Sequence, residues 1–380
     1  MKAQAQKPRS VGEVRPATDR VLLADVAREA GVAVSTVSRT FAKPGRVNVQ
    51  TAEHIRQVAL KLGYQPRPSS DEPASAAQEG EQQTQAHGRH GMLAFLAQDT
   101  ADGISSQILK GAQSEALAAG SAVCILETGP NAARSESLLN LLSRRADGII
   151  IASDQLKAES IRRVARRLPT VVLNRPVEGV LSIVPDPTVG LARALLMLKR
   201  FHLRSLVYVA GSSGLWANQS RWSCIEKLGL RLGFSVRKIG PMQPSVEGGV
   251  QAAAALEGQL PDAIIAYNDQ IAAGLVLRLK ADGFSIPGDL SIIGFDNTLV
   301  APVVSPAITS IRIPRARIGQ AAVDTLLGRP LAPIVSTREA EFKQWLTSQG
   351  ILGIDRSDHL IPVDTSLIIR RSTGAPSPRT

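Results

Sequence analysis

Two kinds of hydrophobic pattern divide the chain. In the first sixty residues, apolar positions recur every three to four residues, which predicts short α-helices at residues 23–30, 34–41 and 49–62. From residue 92 onward, short runs rich in Val, Ile and Ala alternate with amphipathic stretches of helix length. Such alternation predicts parallel β-sheets that are covered by helices on both faces.

The alternation is regular enough to place individual elements. We predict strands at residues 92–96, 122–126, 148–152, 170–173, 205–210, 236–239, 263–266 and 291–295. We predict helices at residues 105–119, 159–167, 186–201, 221–232, 246–256 and 269–282. The alternation of strands and helices starts again after residue 185, so the simplest interpretation is two successive α/β lobes. Ligands bind at the carboxyl ends of the strands in open α/β sheets, so two facing lobes would form a binding cleft.

Between the two patterns lies a segment without apolar periodicity. Residues 66–91 are rich in Pro, Ser, Gln, Glu and Gly, a composition typical of a linker. We therefore expect a disordered basic tail at residues 1–20, a small helical domain at 21–66, a linker at 67–91 and a core at 92–373.

The first two predicted helices form a helix-turn-helix pattern. Gly31 supplies the permissive backbone of the tight turn between them. The outward face of the second helix carries small polar side chains, one Val and one Arg: Val34, Ser35, Thr36, Ser38 and Arg39. Short hydroxyl side chains and a single Arg suit a helix that enters the major groove of DNA and contacts phosphates and base edges.

The helical domain also resembles a known family. The strings DVAREAGVAVSTVSRTF at residues 25–41 and RVNVQTAEHIRQVALKLGYQP at residues 46–66 are similar to the DNA-binding domain of LacI/GalR-type transcriptional regulators. A generic helix-turn-helix is a weak signal, whereas AGVxxxTVSR followed by VNxxT and LGYxP is a specific one. The resemblance implies base contacts by Val34, Ser35 and Arg39. It implies phosphate contacts by the remaining polar positions, namely Thr36, Ser38, Asn48 and Thr51.

The resemblance continues into the core. RRADGIIIAS at residues 144–153, PDAIIAYNDQIAAG at 261–274 and SIPGDLSIIGFDNT at 285–298 resemble the effector-binding half of the family. LIPVDTSLIIRRST at residues 360–373 resembles its closing strand. The implied fold is an all-α helix-turn-helix DNA-binding domain followed by an α/β two-lobed core that resembles periplasmic sugar-binding proteins.

The family's two lobes are joined by three crossovers, with the effector between them. This implies a first lobe at about residues 92–184 plus 312–332 and a second lobe at about 185–311 plus 360–373. Residues 333–358 form an insertion outside this arrangement. Within it, three apolar residues at helical spacing predict a short extra helix to which we assign no role: Phe342, Trp345 and Leu346.

Four polar residues are candidates for contacts with the effector. Carried over residue by residue, the resemblance implies that they are Ser106, Arg221, Asn268 and Asp296. Asp accepts hydrogen bonds from hydroxyl groups while Asn and Arg donate them, which suits a sugar-like ligand. Simpler interpretations stay open: Asn268 as the N-cap of the following helix, Asp296 as a turn cap, and Arg221 as a solvated residue at a helix start. Sugars, nucleobases and carboxylates are all compatible with this set.

Two regions depart from the family pattern. Leu22 and Ala33 stand where such domains usually carry a Thr or Ser N-cap, and losing a cap costs on the order of 1 kcal/mol. The family also usually follows LGYxP with a hinge helix whose Leu enters the minor groove and kinks the DNA. Residues 69–80 contain no Leu, and two acids and a Pro at residues 71–73 oppose both helix continuation and phosphate approach. We therefore expect an atypical hinge in a linker that is longer than usual.

The charge distribution supports a DNA-binding end. The chain has a formal net charge of +11, and residues 1–68 hold twelve Lys and Arg against five acids. Most of the positive charge therefore lies on the first fifth of the chain, which favours contacts with phosphates.

Composition and motifs argue against other classes of protein. Cys124 and Cys224 have no second Cys or His at metal-ligand spacing, so we expect reduced thiols, no metal and no cofactor. No apolar run approaches the roughly 18 residues of a membrane helix, and residues 1–20 lack the apolar stretch of a secretory signal. We expect a cytoplasmic protein that does not bind membranes. Walker, HExxH and GxSxG motifs are absent, so we expect no catalytic residues and no enzyme.

Together these observations predict a ligand-responsive transcriptional regulator. We expect a sequence-specific repressor that binds a near-palindromic operator in double-stranded DNA as a homodimer, with a sugar or sugar derivative bound between its lobes. Two alternatives stay open. One is a cytoplasmic solute-binding module, and the other is a regulator whose DNA binding is uncoupled from its ligand.

Overall fold

The fold consists of two compact units, at residues 1–87 and 88–380. The computed structural model describes residues 23–42, 47–62, 64, 91–101, 103–129, 131–256, 260–331, 337–351 and 353–377. The predicted tail at residues 1–20 and nearly all of the predicted linker at 67–91 lie outside the described residues, as does the departure at Leu22.

The described residues of the first unit contain three helices, whose bounds follow the sequence pattern: α1 (Leu23–Glu29), α2 (Val34–Ala42) and α3 (Val49–Leu62). Gly31 has a φ of 65°, the left-handed conformation that the turn between α1 and α2 requires. The helices bury a small apolar core that contains Val26, Ala27, Ala30, Val37, Ile55 and Ala59. The predicted helix-turn-helix with a supporting third helix is therefore confirmed.

The first turns of α2 and α3 differ in how they are capped. Asn48 precedes α3, and its Oδ1 accepts a hydrogen bond from the Gln50 amide at 3.0 Å, so Asn48 is the N-cap of this helix. Ala33 precedes α2 and offers only its carbonyl, which accepts a hydrogen bond from the Thr36 amide at 2.8 Å. The start of α2 thus lacks a capping side chain at this position, as the sequence indicated.

Two six-stranded sheets form the framework of the second unit. The first contains, in spatial order, β11 (Leu360–Asp364), β5 (Ser182–Asp186), β4 (Thr170–Leu173), β3 (Gly148–Ile151), β1 (Met92–Ala97) and β2 (Ala122–Glu127). The second contains β12 (Ser366–Ile368), β10 (Thr309–Arg312), β9 (Ser291–Phe295), β8 (Ala263–Ala266), β6 (Ser205–Val209) and β7 (Ser235–Ile239). Neighbouring strands run parallel, except that β12 is antiparallel to β10. The predicted pair of α/β lobes is confirmed.

Helices connect the strands and cover both faces of the sheets. They are α4 (Gly103–Ala118), α5 (Ala132–Leu142), α6 (Ala158–Ala165), α7 (Thr188–Arg200), α8 (Trp216–Leu232), α9 (Val246–Ala254), α10 (Asp269–Ala281), α11 (Val300–Val303), α12 (Arg315–Leu326) and α13 (Thr337–Ser348). In β1, Leu93 and Phe95 belong to one apolar cluster, whereas Ala94 and Leu96 belong to another. Because successive residues of a strand face opposite sides, both faces of this strand are buried.

Two glycines let α4 and α12 pack backbone against backbone. A Cβ atom at Gly111 would overlap the carbonyl oxygen of Ala316, and one at Gly319 would overlap the carbonyl oxygen of Ile108. A larger side chain at either position therefore requires the helices to move apart. This contact holds α12 on the first sheet, although α12 directly follows a strand of the second sheet.

The chain passes between the two sheets three times, near Pro187, Pro314 and Thr365. These crossings, at residues 186–188, 313–315 and 364–366, form the hinge of the second unit. Two of them are in contact, because the Thr365 hydroxyl donates a hydrogen bond to the Asp186 carbonyl at 3.0 Å. The lobes are therefore linked at one side, while the carboxyl ends of their strands face the space between them.

The structure corrects two placements and confirms a third. We placed residues 360–373 in the second lobe, but Leu360–Asp364 pairs with β5 of the first sheet, so that prediction was wrong for this strand. The reason is that the third crossover falls at Thr365, inside a run with one continuous β pattern. Helix α8 begins at Trp216 rather than at Arg221. The extra helix in the insertion is confirmed as α13.

Candidate functional site

The candidate DNA-contacting residues lie mainly along one face of α2. Four of these side chains are exposed: Val34, Ser35, Ser38 and Arg39. The second pair follows the first by one helical turn, so all four lie on a single stripe of the helix. Val37 on the opposite face is fully buried in the core of the unit. The helix therefore presents an uninterrupted narrow surface of one apolar, two hydroxyl and one guanidinium side chain.

The other candidates lie at the first turns of α2 and α3. Thr36 and Thr51 are half-buried, and Asn48 is exposed. The Oδ1 of Asn48 is used as the cap of α3, but its Nδ2 has two protons with which to donate hydrogen bonds. Hydroxyl and amide donors beside a helix N-terminus, which carries partial positive charge, suit contacts with phosphate oxygens.

A cavity of about 370 Å³ lies between the lobes at the carboxyl ends of their strands. Three of the four predicted effector residues line this interlobe cavity: Arg221, Asn268 and Asp296. The fourth, Ser106, is half-buried on α4 and is not among the lining residues, whereas Ile104 of the same helix is. Trp216, Tyr267 and Phe295 add aromatic surface. A few polar groups among aromatic walls are typical of small-molecule sites.

Asp296 is held between two buried arginines. Its Oδ1 lies 2.9 Å from Nη2 of Arg221 and 3.0 Å from Nη2 of Arg315. Its backbone carbonyl accepts a further hydrogen bond from Nη1 of Arg315 at 2.6 Å. The three side chains are at most 8% exposed. Two guanidinium groups share a single carboxylate here, so the cluster carries one positive charge in excess. This wall of the cavity therefore favours electron-rich ligand atoms.

The backbone at Asp296 is unusual as well. Its φ is 97°, in the left-handed region that a residue with a side chain rarely adopts, and Asn297 has a φ of 48°. The amide of Asp296 donates to the Ile311 carbonyl at 2.7 Å, and Arg370 Nη2 donates to Asn297 Oδ1 at 2.6 Å. These contacts stabilise a strained turn whose conformation places the Asp296 carboxylate in the cavity wall, so the simpler interpretation as a turn cap does not account for it.

Arg221 connects several walls of the interlobe cavity. Besides its ion pair, it donates to the carbonyl of Tyr267 and lies 3.9 Å from the centre of the Phe295 ring and 4.6 Å from that of Tyr267. Burial is the largest single influence on the pKa of Arg221 and lowers it, but the Asp296 carboxylate together with Tyr267 and Tyr208 outweighs burial, so the pKa of this guanidinium is raised. The interpretation of Arg221 as a solvated residue at a helix start was wrong.

Asn268 combines a structural role with its place in the cavity wall. Its Oδ1 accepts a hydrogen bond from the Ile271 amide at 2.9 Å and thereby caps α10, while Nδ2 donates to the Pro244 carbonyl at 3.1 Å. The simpler interpretation as an N-cap therefore holds. It leaves a contact with a ligand possible, because an amide has two lone pairs and two protons.

Asp269, the first residue of α10, supports the turn that carries Asp296. Its carboxylate is fully buried and accepts hydrogen bonds from the Ser310 hydroxyl at 2.6 Å and from the Thr298 amide at 2.6 Å. Burial raises the pKa of Asp269 to about 6, and the hydrogen bonds from Ser310 and Thr298 oppose this rise. Its charge state is thus tied to the packing of the cavity wall.

Sequence reasoning missed Arg315 and Asn174, which also line the interlobe cavity. Asn174 directly follows β4, a strand that the pattern predicted, so the rule that ligands bind at carboxyl ends of strands would have selected it. Arg315 begins α12 after β10, a strand that the pattern did not predict. Only the packing of α12 brings it to Asp296.

Other chemistry finds little support in the described part of the chain. No group of three or more His, Cys, Asp or Glu there is arranged to hold a metal ion. None of the described helices combines the length and apolar character needed to cross a membrane. Cys124 and Cys224 are free thiols, and burial raises the pKa of Cys224 to about 12.

Two protein families match separate parts of the chain. Residues 22–67 match the bacterial regulatory proteins of the lacI family, and residues 196–373 match the periplasmic binding protein-like domain. The HTH-type transcriptional regulator GalS of Salmonella typhimurium is 29% identical over 318 residues, which cover 81% of this chain and 89% of GalS. The HTH-type transcriptional repressor PurR of Vibrio atlanticus is 26% identical over 322 residues, which cover 80% of this chain and 90% of PurR.

Solved structures show the same fold. The lac repressor dimer bound to operator and the anti-inducer ONPF aligns with a TM-score of 0.64 at 22% identity, over 93% of this chain and 99% of that one. The complex of the transcriptional regulator CelR with cellobiose aligns with a TM-score of 0.59 at 21% identity, over 93% of this chain and all of that one.

A helix-turn-helix unit combined with a two-lobed core of the periplasmic-binding-protein type defines a class of DNA-binding transcriptional regulators. Both domain matches and the full-length relatives place the chain in this class. The chain belongs to the lacI family of bacterial regulatory proteins.

Proposed function

We propose that this regulator is a repressor that binds a near-palindromic operator as a homodimer and responds to a sugar or sugar derivative in its interlobe cavity. The observation that carries the DNA-binding part is the exposed stripe of Val34, Ser35, Ser38 and Arg39 above the buried core of the first unit. A helix with such a face fits the major groove, where each base pair presents a distinct pattern of donors and acceptors.

Within that groove we assign a separate role to each side chain of the stripe. Arg39 donates to the base edge of a guanine, Ser35 contacts a base edge, and Val34 packs on a thymine methyl group. The remaining hydroxyl and amide groups contact phosphates and set the orientation of the helix: Thr36, Ser38, Asn48 and Thr51. Two copies related by a two-fold axis would place two such helices in half-sites about one helical turn apart. The operator-bound lac repressor dimer supports this arrangement.

The effector proposal depends on the interlobe cavity. Arg221, Asn268 and Asp296 supply hydrogen-bond donors and acceptors, and the aromatic side chains of the wall provide surfaces on which a sugar ring can stack. The cellobiose complex of CelR, a structure with the same fold, supports a sugar. Asn174 and Ile104 come from the first lobe and Arg221 from the second, so a ligand would contact both lobes and favour their closure.

Binding without catalysis is the function that this cavity favours. Asp296 is the one acid among the described residues that line the cavity, and ion pairs with Arg221 and Arg315 already engage its Oδ1, the arrangement of a structural group rather than of a general base. We therefore propose a binding protein rather than an enzyme, one that acts in the cytoplasm because its DNA target is there. We further propose lobes at about residues 92–186 plus 315–364 and 188–312 plus 366–373, a division that the two sheets support.

Fluorescence-anisotropy titration tests this proposal. The full-length protein is titrated onto labelled duplexes from the intergenic DNA beside its own gene and onto scrambled duplexes, at about physiological salt. The titration is repeated with a panel of sugars and sugar acids. We expect tight binding to one near-palindrome and a change in that binding with one ligand.

Two other results would favour the alternatives. Binding no better than to scrambled DNA, together with binding of a panel sugar, would favour a solute-binding module. Specific DNA binding that no bound ligand alters would favour a regulator in which ligand and DNA are uncoupled. The Leu-free linker sequence supports this second alternative, because it lacks the side chain that enters the minor groove in the family.

A further inference from the structure

A second cavity, of about 440 Å³, lies beside the hinge and is lined mainly by α8 and by residues 350, 351, 353 and 354 of the insertion. Pro187 and Thr188 of the first crossing complete its wall. We call it the hinge-side cavity. Its volume falls within the range of about 300–1,000 Å³ of small-molecule sites. It adjoins the interlobe cavity, since Pro187 and Ser220 line both, but the other residues of the two walls differ.

The insertion that builds this wall is attached to both lobes. On the second lobe, the guanidinium of Arg193 lies 4.8 Å from the centre of the Phe342 ring, and Arg231 donates a hydrogen bond to the carbonyl of Gln349. At the hinge, Lys343 Nζ lies 2.7 Å from Asp364 Oδ1. These contacts fix the position of the insertion residues that line the cavity, so the cavity is preformed in the fold.

The same wall is fixed to the first crossing. The amide of Ile354 donates to Oδ2 of Asp186 at 2.9 Å, and the Thr188 amide donates to Oδ1 at 2.9 Å. Lys343 Nζ lies 4.0 Å from Oδ2 of the same carboxylate. Asp186 is fully buried behind Gly353 and is not among the residues that line the cavity, and these three partners offset part of its negative charge.

The lining of the cavity combines positive charge with apolar surface. Lys227 and Arg231 stand one turn apart on α8, and none of the described residues that line the cavity is acidic. Leu228, Ile351 and Ile354 supply apolar surface. Hydroxyl groups at three positions add hydrogen-bond donors: Thr188, Ser220 and Ser223. One part of the cavity lining carries cationic groups and another part carries aliphatic side chains. This combination favours a ligand with an anionic end and an apolar body.

Cys224 lies in this wall and donates weakly from its thiol to the Thr188 hydroxyl at 3.8 Å. Burial raises the pKa of Cys224 to about 12, so the thiol stays protonated at neutral pH and acts as a small apolar group. The cavity is therefore suited to reversible binding rather than to covalent capture.

We propose that the hinge-side cavity is a second effector site that binds an amphipathic monoanion, a carboxylate with a short apolar body. The carboxylate pairs with Lys227 and Arg231, and the apolar body packs on the aliphatic side chains beneath them. Because α8 belongs to the second lobe and the insertion follows α12 of the first, a ligand here contacts both sides of the hinge. Its binding therefore changes the freedom of the lobes to move, and this site is independent of whether a sugar binds in the interlobe cavity.

Calorimetric titration of the full-length protein tests the charge requirement. The probe is 4-phenylbutyrate, and its uncharged amide serves as the matched ligand. We expect the carboxylate to bind at least roughly tenfold more tightly than the amide, because charged hydrogen bonds stabilise a bound ion more than neutral ones. Equal affinities, or no binding of 4-phenylbutyrate, would overturn the proposal.

Two substitutions on α8 test the location. Ser223→Phe fills the hinge-side cavity, whereas Ala217→Phe fills the interlobe cavity on the same helix. We expect the first to abolish binding of 4-phenylbutyrate and the second to leave it within about twofold. Loss of binding with Ala217→Phe alone would place the anion in the interlobe cavity and would overturn the proposal.

Charge variants provide a test that does not depend on filling the cavity. Lys227→Gln and Arg231→Gln should each weaken binding of 4-phenylbutyrate by roughly tenfold, and Lys227→Gln, which removes no contact that holds the wall, should leave binding of the amide unchanged. Arg166→Gln, at an exposed position at the end of α6, is the matched control and should have no effect. A loss of the same size in all three variants would show a general effect of net charge and would overturn the proposal even if Ser223→Phe fails to fold.

Discussion

Nη2 of Arg221 donates a hydrogen bond of 2.9 Å to Oδ1 of Asp296, a residue 75 positions further along the chain. Arg221 lies in the second turn of α8, and Asp296 directly follows β9. Arg315, which begins α12 after the second crossing, reaches the same carboxylate. The pair therefore links the wall of the interlobe cavity to the hinge, so a ligand that contacts Asp296 acts on a group that both lobes share.

Asp296→Ala should destabilise the protein strongly. The change leaves two buried guanidinium groups without their carboxylate, and breaking a buried ion pair from one side costs about 3–5 kcal/mol. Urea unfolding measures the free energy of unfolding of the variant and the parent. Asp282→Ala removes the exposed partner of Arg278 and is the matched control, with an expected loss below about 1 kcal/mol. A similarly small loss for both variants would contradict the buried pair.

Arg39→Ala should weaken binding to the operator by about 1–3 kcal/mol, because we assign Arg39 to a base edge. Anisotropy titrations on the operator and on scrambled DNA measure the effect. Binding to scrambled DNA should change little. Arg28→Ala, at an exposed position of α1 where Arg28 pairs with Asp25, is the control and should bind both duplexes like the parent. An equal loss on both duplexes with Arg39→Ala would assign Arg39 to a phosphate instead.

Asp269 should make stability depend on pH. Its pKa is raised to about 6 in the folded protein from a reference value of 3.8, so the folded chain binds more protons than the unfolded chain between about pH 4 and pH 6. The stabilisation from its protonated form is therefore fully present below about pH 4 and is lost as the pH rises through 6. Asp269→Asn removes this titration.

The measurement is the free energy of unfolding of both proteins at intervals from pH 4 to pH 7. From the size of the pKa shift, the parent should lose on the order of 2–3 kcal/mol relative to Asp269→Asn over this range. A difference between the two proteins that stays constant with pH would show that Asp269 titrates normally in the folded chain.

Gly319→Ala should separate α4 from α12. The added Cβ atom would overlap the carbonyl oxygen of Ile108, and overpacking of this kind typically costs about 1–3 kcal/mol. Thermal or urea unfolding measures the loss. Gly103→Ala at the start of α4 is the control, since its Cβ atom meets open space, and its effect should lie between neutral and a gain of about 1 kcal/mol. Unchanged stability of Gly319→Ala would mean that the helices are not closely packed in solution.

Much of the fold could be predicted because its signals are local. The three helices of the first unit follow from the helical period of their apolar residues and from the turn at Gly31. Most strands of the second unit were predicted because they are short apolar runs between helices. Strands β5 and β10 were not predicted, since Pro185 interrupts the apolar run at the end of the first and Thr309, Ser310 and Arg312 make the second polar.

The candidate site was predicted only in part. The resemblance to a known family selected Arg221, Asn268 and Asp296, and all three line the interlobe cavity. It also selected Ser106, which is not among the lining residues. Arg315 was missed because its partnership with Asp296 depends on the packing of α12 against the first lobe, which no local pattern records.

The amino-acid sequence was sufficient for the helix-turn-helix, the exposed stripe on α2 and the α/β character of the core, because each depends on residues within a few turns of one another. Tertiary structure alone decided that Leu360–Asp364 joins the first sheet, that two arginines share Asp296 and that the insertion forms a cavity beside the hinge. The physical reason is distance along the chain. Such contacts join residues that are tens to more than a hundred positions apart, and their free energy depends on burial and charge pairing, which exist only once the lobes have packed.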